Sequence, residues 1–268
     1  VLNRLVQTAV RQNPDLRSAG VRVLGARAEL NTAVGNLFPQ QQQFSLTGGR
    51  YSADDSAGGP AQFLGGSQAI YASQAVFSAN WEIDFWGKYR RQIQSDRARF
   101  LASIAAYDAA LVSLIADVAN TYANLRTAQA RLRVAEENIA LQKESLRMAE
   151  TQLAAGQVQG LDAAMAATQV AMTESMVPLL REAADRSING LSVLMGTTPE
   201  EARRMVGGGG GIPTISGSIA TGIPRDLLRR RPDVRAAGLM AASQSARIGV
   251  AFAELLPSFS LNGSFGYG

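Results

Sequence analysis

The sequence predicts a mixed α and β protein in which a long coiled-coil hairpin of helices adjoins strands with one apolar and one polar face. Three observations predict it. An apolar stripe recurs every seven residues across residues 88–155, a stretch of 68 residues without proline or glycine. A second stretch, residues 71–85, alternates apolar and polar side chains with period two. A third pattern, a helix followed by a strand, occurs twice.

The repeat comes first along the chain. Residues 13–39 align without gaps on 231–257 at an offset of 218, with nine identities in 27 positions; Pro14 and Pro232, Asp15 and Asp233, and Pro39 and Pro257 are among them. Each copy opens Pro-Asp, proline suiting the first helical turn and aspartate the positive end of the helix dipole. Each ends at a proline, which cannot continue a helix. Alternating residues follow in both, Phe44-Ser45-Leu46-Thr47 in the first and residues 259–267 in the second. Residues 1–39 therefore read as the helices of the first repeat, 226–257 as the second-repeat helix and 258–268 as the start of a further strand.

In the alternating stretch the odd positions are Tyr71, Ser73, Ala75, Phe77, Ala79, Trp81, Ile83 and Phe85, while the even ones include Gln74, Ser78, Asn80, Glu82 and Asp84. Two settings use such a strand. One is a soluble antiparallel sheet packed on a core; the other is a membrane barrel with lipid outside and water inside. Residues 40–87 read as a strand hairpin around a loop near 52–67 rich in Gly, Ser and Asp.

From residue 88 the period changes. Leu111, Val118, Leu125, Leu132, Ile139, Leu146 and Leu153 fall seven apart, with Leu114, Ala128, Ala135 and Ala149 supplying much of a second stripe. Such a helix is about 100 Å long at 1.5 Å per residue, and its repeat makes it half of a left-handed coiled coil. Gly156 and Gly160 mark a turn near 156–160, so 88–196 reads as a helical hairpin, with Pro178 as a kink in the returning helix. The glycine run 207–211, with Pro213 and Pro224, reads as part of a linker, 197–225.

Composition excludes several kinds of chemistry. Without cysteine or histidine the chain lacks thiol and imidazole nucleophiles and the usual zinc ligands, so neither a metal nor a cofactor is expected. The net charge of +4 is scattered and almost wholly arginine, and the densest cluster, Arg229-Arg230-Arg231, reads as a solvated helix start; no nucleic-acid partner is expected. The glycine run lacks the Lys-Ser/Thr that completes a P-loop. Glu82 and Asp84 have the spacing of a glycosidase carboxylate pair, but equally of the polar face of a strand, and no enzyme is expected.

No run reaches roughly 18 apolar residues, the most apolar windows being broken by Asp108 and Asp117; a spanning helix is not expected, whereas a β-barrel span stays open. The chain begins Val1-Leu2-Asn3 and stops inside an alternating segment, which reads as a fragment.

Trp81, Trp86 and Tyr89 lie where the alternation ends and Lys88, Arg90 and Arg91 begin. They suit either core anchors or the level where hydrocarbon meets water, which Trp and Tyr favour. A strand leaving a membrane to become a charged helix, with Gly87 at the joint, has this pattern.

The stretch WEIDFWGKYRRQI, residues 81–93, resembles the strand-to-helix signature of TolC-family outer-membrane efflux proteins, in their OprM-like, NodT-type lipoprotein branch. RRRPDVRAA, residues 229–237, and ARIGVAFAELLPSFSLNGSFGY, residues 246–267, resemble the same family, as does the duplicated unit. The resemblance implies a homotrimer in the Gram-negative outer membrane, each protomer giving four strands to one twelve-stranded transmembrane β-barrel and long helices to a periplasmic α-barrel. It implies that the first helices and the linker are α-barrel and equatorial elements and that the loop near 52–67 is extracellular. It also implies a signal peptide and an acylated cysteine before residue 1, with the fourth strand and second hairpin after residue 268.

By the same resemblance the function is passive conduction of drugs or other small toxic compounds, driven by an inner-membrane resistance-nodulation-division transporter through a periplasmic adaptor. Outer-membrane lipid would surround the barrel. In the family the hairpin turn meets the adaptor through Arg, then Gly four on, Ser or Thr three further and Asp three beyond. Here Gly156 and Asp162 match, while Gln152 and Gln159 stand at the arginine and hydroxyl positions; Gly156, Gln159 and Asp162 are the adaptor-contact candidates. Trp81, Trp86 and Tyr89 are the membrane-interface candidates, and Asn80, Glu82 and Asp84 the pore-facing ones. The periplasmic gate is expected in the second hairpin. A type I secretion exit duct shares this fold, and a soluble coiled-coil scaffold shares the heptad.

Overall fold

A computed structural model describes residues 1–52, 69–207, 210–214 and 228–268. The order of elements is α1 (Leu2–Gln12), α2 (Pro14–Gly35), β1 (Gln41–Ser52), β2 (Ala69–Ile83), α3 (Lys88–Ala154), α4 (Gly160–Met195), α5 (Pro199–Val206), α6 (Pro232–Glu254) and β3 (Phe259–Tyr267). The chain divides into two compact units, Val1–Arg22 with Ala105–Asp233, and Val23–Ile104 with Val234–Gly268. The loop near 52–67 lies outside the described residues except for its first position.

The first unit is helical. Its core joins Leu5 and Ala9 of α1, Leu16 of α2, Leu114, Val118, Tyr122 and Leu125 of α3, Ala184, Ile188, Leu191 and Met195 of α4, and Ala202 and Val206 of α5. Asn13 links three of these helices: its Oδ1 accepts the Leu16 amide at 2.7 Å, capping α2, and its Nδ2 donates to the Leu194 carbonyl at 2.9 Å. Pro14 and Pro232 open α2 and α6, the place the sequence gives them.

α3 is a single helix of 67 residues and α4 one of 36, running through Pro178. Past Ala130 the half-buried positions of α3 are Leu132, Ala135, Ile139, Gln142, Leu146 and Ala149, spaced alternately by three and four. On α4 buried Val170 and half-buried Ala163, Ala166, Thr173, Val177 and Leu180 follow the same spacing. The heptad read from α3 is thus answered on α4 by a stripe in which Ala163, Ala166 and Thr173, too small or polar to stand out in the sequence, alternate with Val170, Val177 and Leu180. Lys143 Nζ meets Glu174 at 2.7 Å and Arg181 meets Glu136 at 3.1 Å across the hairpin. Exposed pairs of this kind set the register more than the stability.

Two expectations need correction. α3 contains an 18-residue window of mean hydropathy 1.6, apolar enough by length and composition for a spanning helix despite Asp108 and Asp117. Alanine raises the mean without forming a long apolar run, and Leu114, Val118 and Leu125 of this helix are buried against other helices. The linker also contains a helix, α5. Thr198 caps it by accepting the Glu201 amide at 3.3 Å, Pro199 opens it, and Glu200 and Glu201 fill its first turn.

Gly210, in the glycine run that follows α5, lies beside a buried cation. Arg126 is 1% exposed, its Nε donating to Tyr122 Oη at 3.0 Å, Nη1 to Gln129 Oε1 at 2.8 Å and Nη2 to the Val206 carbonyl at 3.0 Å. Gly210 passes so close that a Cβ there would stand 3.0 Å from the guanidinium carbon.

The second unit carries an antiparallel sheet in the order β1-β2-β3. β1 pairs with β2 from Gln41↔Asn80 to Ser52↔Ala69, and β3 pairs with the other edge of β2 from Phe259↔Ile83 to Tyr267↔Ala75. Gln41 and Phe259, the first residues of β1 and β3, stand 218 residues apart, so the repeat holds from helix start to strand start. α3 and α6 meet through small groups: Ser95 and Ser243 share a buried 2.9 Å hydrogen bond, and the Arg91 stem lies over Gly249.

Candidate functional site

Residues paired directly across an antiparallel sheet point to the same side, so the register assigns each face. Phe44, Leu46, Phe77, Trp81, Ile83, Phe259, Leu261, Phe265 and Tyr267 share one face. All but half-buried Trp81 remain open to the surroundings, Leu46 at 74%, Phe265 at 83% and Tyr267 at 86% exposed. The opposite face carries Gln41, Gln43, Ser45, Thr47, Gln74, Ser78, Asn80, Glu82, Ser260, Asn262 and Ser264. Gln41, Asn80 and Asn262 stand side by side in one row of carboxamides, within a shallow depression that Gln43, Ser78 and Ser264 complete.

The lower end of the sheet is the joint predicted at Gly87. Pro39 has no N–H to give the ladder, and the Gln40 side chain supplies the missing pair: its Oε1 accepts the Glu82 amide at 2.8 Å and its Nε2 donates to the Glu82 carbonyl at 3.2 Å. The Glu82 carboxylate accepts from Tyr89 Oη at 2.9 Å, with Lys88 Nζ at 3.5 Å. Burial, the Glu82 hydrogen bond and the charges of Glu82 and Asp84 push the Tyr89 phenol up to about 12.

The alternation puts Asp84 on the polar strand face with Asn80 and Glu82. The structure keeps Asn80 and Glu82 there but ends β2 at Ile83, and Asp84 serves the helix instead. Its Oδ1 accepts the Tyr89 amide and its Oδ2 the Arg90 amide, each at 3.0 Å, while Arg90 Nε reaches Oδ2 at 3.0 Å. The first amides of a helix have no partner within it and lie at the positive end of its dipole, so a carboxylate placed there is bound twice over. Gly87 turns the chain between strand and helix at φ +81°, a conformation that costs other residues about 1–2 kcal/mol.

The two tryptophans fasten this joint to both repeats. Trp81 Nε1 donates to the Leu37 carbonyl at 3.1 Å, and Trp86 Nε1 to the Pro257 carbonyl at 2.8 Å. These carbonyls lie in the two equivalent helix-to-strand connections. Sequence periodicity does not reveal this division of labour, though the paired prolines marked both connections.

At the far end of the hairpin Gly156 is left-handed, and the Gln157 amide returns to the Gln152 carbonyl at 2.9 Å, closing α3 with a Schellman turn. Asp162 Oδ2 accepts the Gln159 amide at 3.3 Å at the start of α4. The three adaptor-contact candidates thus share one turn, where Gly156 and Asp162 have local structural work of their own. Among the described residues no group of three or more carboxylates is placed to hold a metal ion.

Residues 5–197 match the family described as outer membrane efflux protein. Nodulation protein T of Rhizobium leguminosarum bv. viciae is 30% identical over 98% of this chain and 52% of its own length. The pyoverdine export outer membrane protein OpmQ of Pseudomonas putida is 30% identical over 100% of this chain and 56% of its own. The chain thus spans about half the length of the curated relatives it matches. The outer-membrane channel OprN has the same fold, with a TM-score of 0.87 at 32% identity over 100% of this chain and 59% of that one. The family and the OprN-like fold indicate an outer-membrane location with a helical extension into the periplasm. A duplicated helix-and-strand unit, a sheet with one apolar and one polar face and a heptad hairpin accompany this match, and the chain belongs to the outer membrane efflux protein family.

Proposed function

We propose that the chain forms part of the wall of an outer-membrane efflux channel, a passive exit duct for drugs or other small toxic compounds. One observation carries the reading: a three-stranded sheet exposes an aromatic and aliphatic face, while the other face carries mainly amides and hydroxyls beside Val76, with Glu82 as its one carboxylate among the described residues. A soluble sheet would bury Phe265 and Tyr267, whereas a barrel wall puts them in lipid and the amides in water. The free edges of β1 and β3, each paired only with β2 among the described residues, are the edges that barrel closure removes.

In this reading three copies supply twelve strands. Asn80 and Glu82 face the water-filled interior, Asp84 lies at its base, and Trp81, Trp86 and Tyr89 mark the periplasmic interface of the outer membrane. The turn at Gly156, Gln159 and Asp162 meets a periplasmic adaptor, and an inner-membrane resistance-nodulation-division transporter supplies the energy. The pyoverdine-exporting relative supports a small-molecule cargo.

The test is conductance of the full-length protein in planar bilayers, together with export in cells lacking it. Stepwise conductance and restored resistance to the pump's substrates are expected. A detergent-free aqueous protein with neither property would overturn the reading in favour of a soluble scaffold, and restored secretion of a polypeptide would favour a type I exit duct.

A further inference from the structure

The apolar face of the sheet carries one charge among the described residues. Arg50 pairs with Tyr71 across β1 and β2 and therefore points to the same side as Phe44, Leu46 and Phe77. Its guanidinium carbon lies 5.8 Å from the centre of the Tyr71 ring, and among the described residues no carboxylate pairs with it. Tyr71 is 77% exposed.

The height of this pair along the strand gives its meaning. Tyr71 and Ile83 are twelve residues apart on β2, about 40 Å at roughly 3.3 Å per residue. A tilt of about 40° reduces that to about 30 Å, the thickness of a bilayer's hydrocarbon. With Trp81 and Ile83 at one interface, Tyr71 and Arg50 reach the headgroups of the opposite leaflet. A guanidinium turned towards lipid at that level, with no carboxylate partner among the described residues, can take an anion, and a phosphate is the anion a headgroup offers, its oxygens matching the planar N–H fork.

We propose that Arg50, held over Tyr71, binds the phosphate of an outer-leaflet lipid headgroup. This site rests on the lipid-facing assignment of the sheet, and it ties the barrel to particular neighbours in the membrane. Ring contact on one side leaves the fork's N–H groups free to meet phosphate oxygens on the other. Tyr71 restricts the guanidinium, so less freedom is lost when lipid binds.

The experiment is native mass spectrometry of the full-length assembly released from nanodiscs of a phosphate-bearing lipid mixed with an uncharged glycolipid. Wild type is expected to retain the phosphate-bearing lipid and Arg50→Gln about fivefold less, the equivalent of the roughly 1 kcal/mol one basic residue contributes near an anionic surface. Arg50→Lys is expected to recover part of the retention. Equal retention by wild type and Arg50→Gln would overturn the proposal, as would its loss on adding inorganic phosphate alone, which would point to a free-anion site. Quenching of Trp81 fluorescence by brominated lipid separates the two readings: quenching with equal retention sinks only the Arg50 site, while absent quenching sinks the lipid-facing assignment itself.

Discussion

Leu125 on α3 and Leu46 on β1 carry the same side chain, yet the first is 0% exposed and the second 74%. Around Leu125 the chain closes its own core, with Leu5, Val118, Leu191 and Met195 all completely covered. Around Leu46 the apolar groups lie in the open beside Phe44, Phe77 and Phe265. The helical unit closes a core of its own, whereas the sheet leaves its apolar face uncovered by the described residues. Burial in the folded chain measures stability only where the chain itself supplies the apolar environment.

The comparison can be broken first at its strongest point. Leu125→Ala is expected to cost about 2–5 kcal/mol, because a filled core cannot collapse onto the space, while Leu46→Ala costs about 0.5 kcal/mol or less in detergent. Urea unfolding of the full-length protein, followed by circular dichroism, measures both. Next, Leu46→Lys is expected to cost about 2–4 kcal/mol in a bilayer near its midplane, and its neighbour Thr47→Lys, on the amide and hydroxyl face, about 0.5 kcal/mol or less. Folding titrations into lipid vesicles read this difference, and equal costs would erase the distinction between the faces.

The joint between sheet and helix provides smaller effects. Asp84→Ala is expected to destabilise the start of α3 by about 1 kcal/mol, and Asp84→Asn to recover most of it, since asparagine caps as well. Amide exchange of the first turn of α3 is the measurement. Smallest is the titration of Tyr89. Its raised pKa means that the folded chain favours the neutral phenol; that contribution is complete below pH 10, the ordinary value, and is lost as pH rises through about 12. The phenolate absorbance difference between wild type and Tyr89→Phe is expected to appear near the higher value.

Much of this organisation was legible because periodicity survives translation into structure. The odd positions of β2, the heptad of α3 and the repeat at offset 218 all report a constraint imposed at regular intervals. What escaped notice depends on single atoms. Asp84 keeps the alternation of the strand although its oxygens belong to the helix, since polarity alone cannot distinguish a cap from a wall residue. α5 carried its signal in Thr198-Pro199-Glu200-Glu201, but its eight residues are too few for a period to emerge beside the glycine run. Arg126, buried among neutral acceptors, gives no sign in the sequence that distinguishes it from the exposed arginines near it.

The central claim is that one sheet divides lipid from water, and a cysteine scan along β2 tests it most directly. Single cysteines at positions 74 to 81 of the full-length protein would be assembled in vesicles and treated with a water-soluble maleimide, then with a lipid-confined quencher of an attached fluorophore. Labelling in water at Gln74, Ser78 and Asn80, with quenching from lipid at Ala75, Phe77 and Trp81, is the predicted result. The same response at odd and even positions, or water-phase labelling of Phe77 and Trp81 with Asn80 protected, would contradict it.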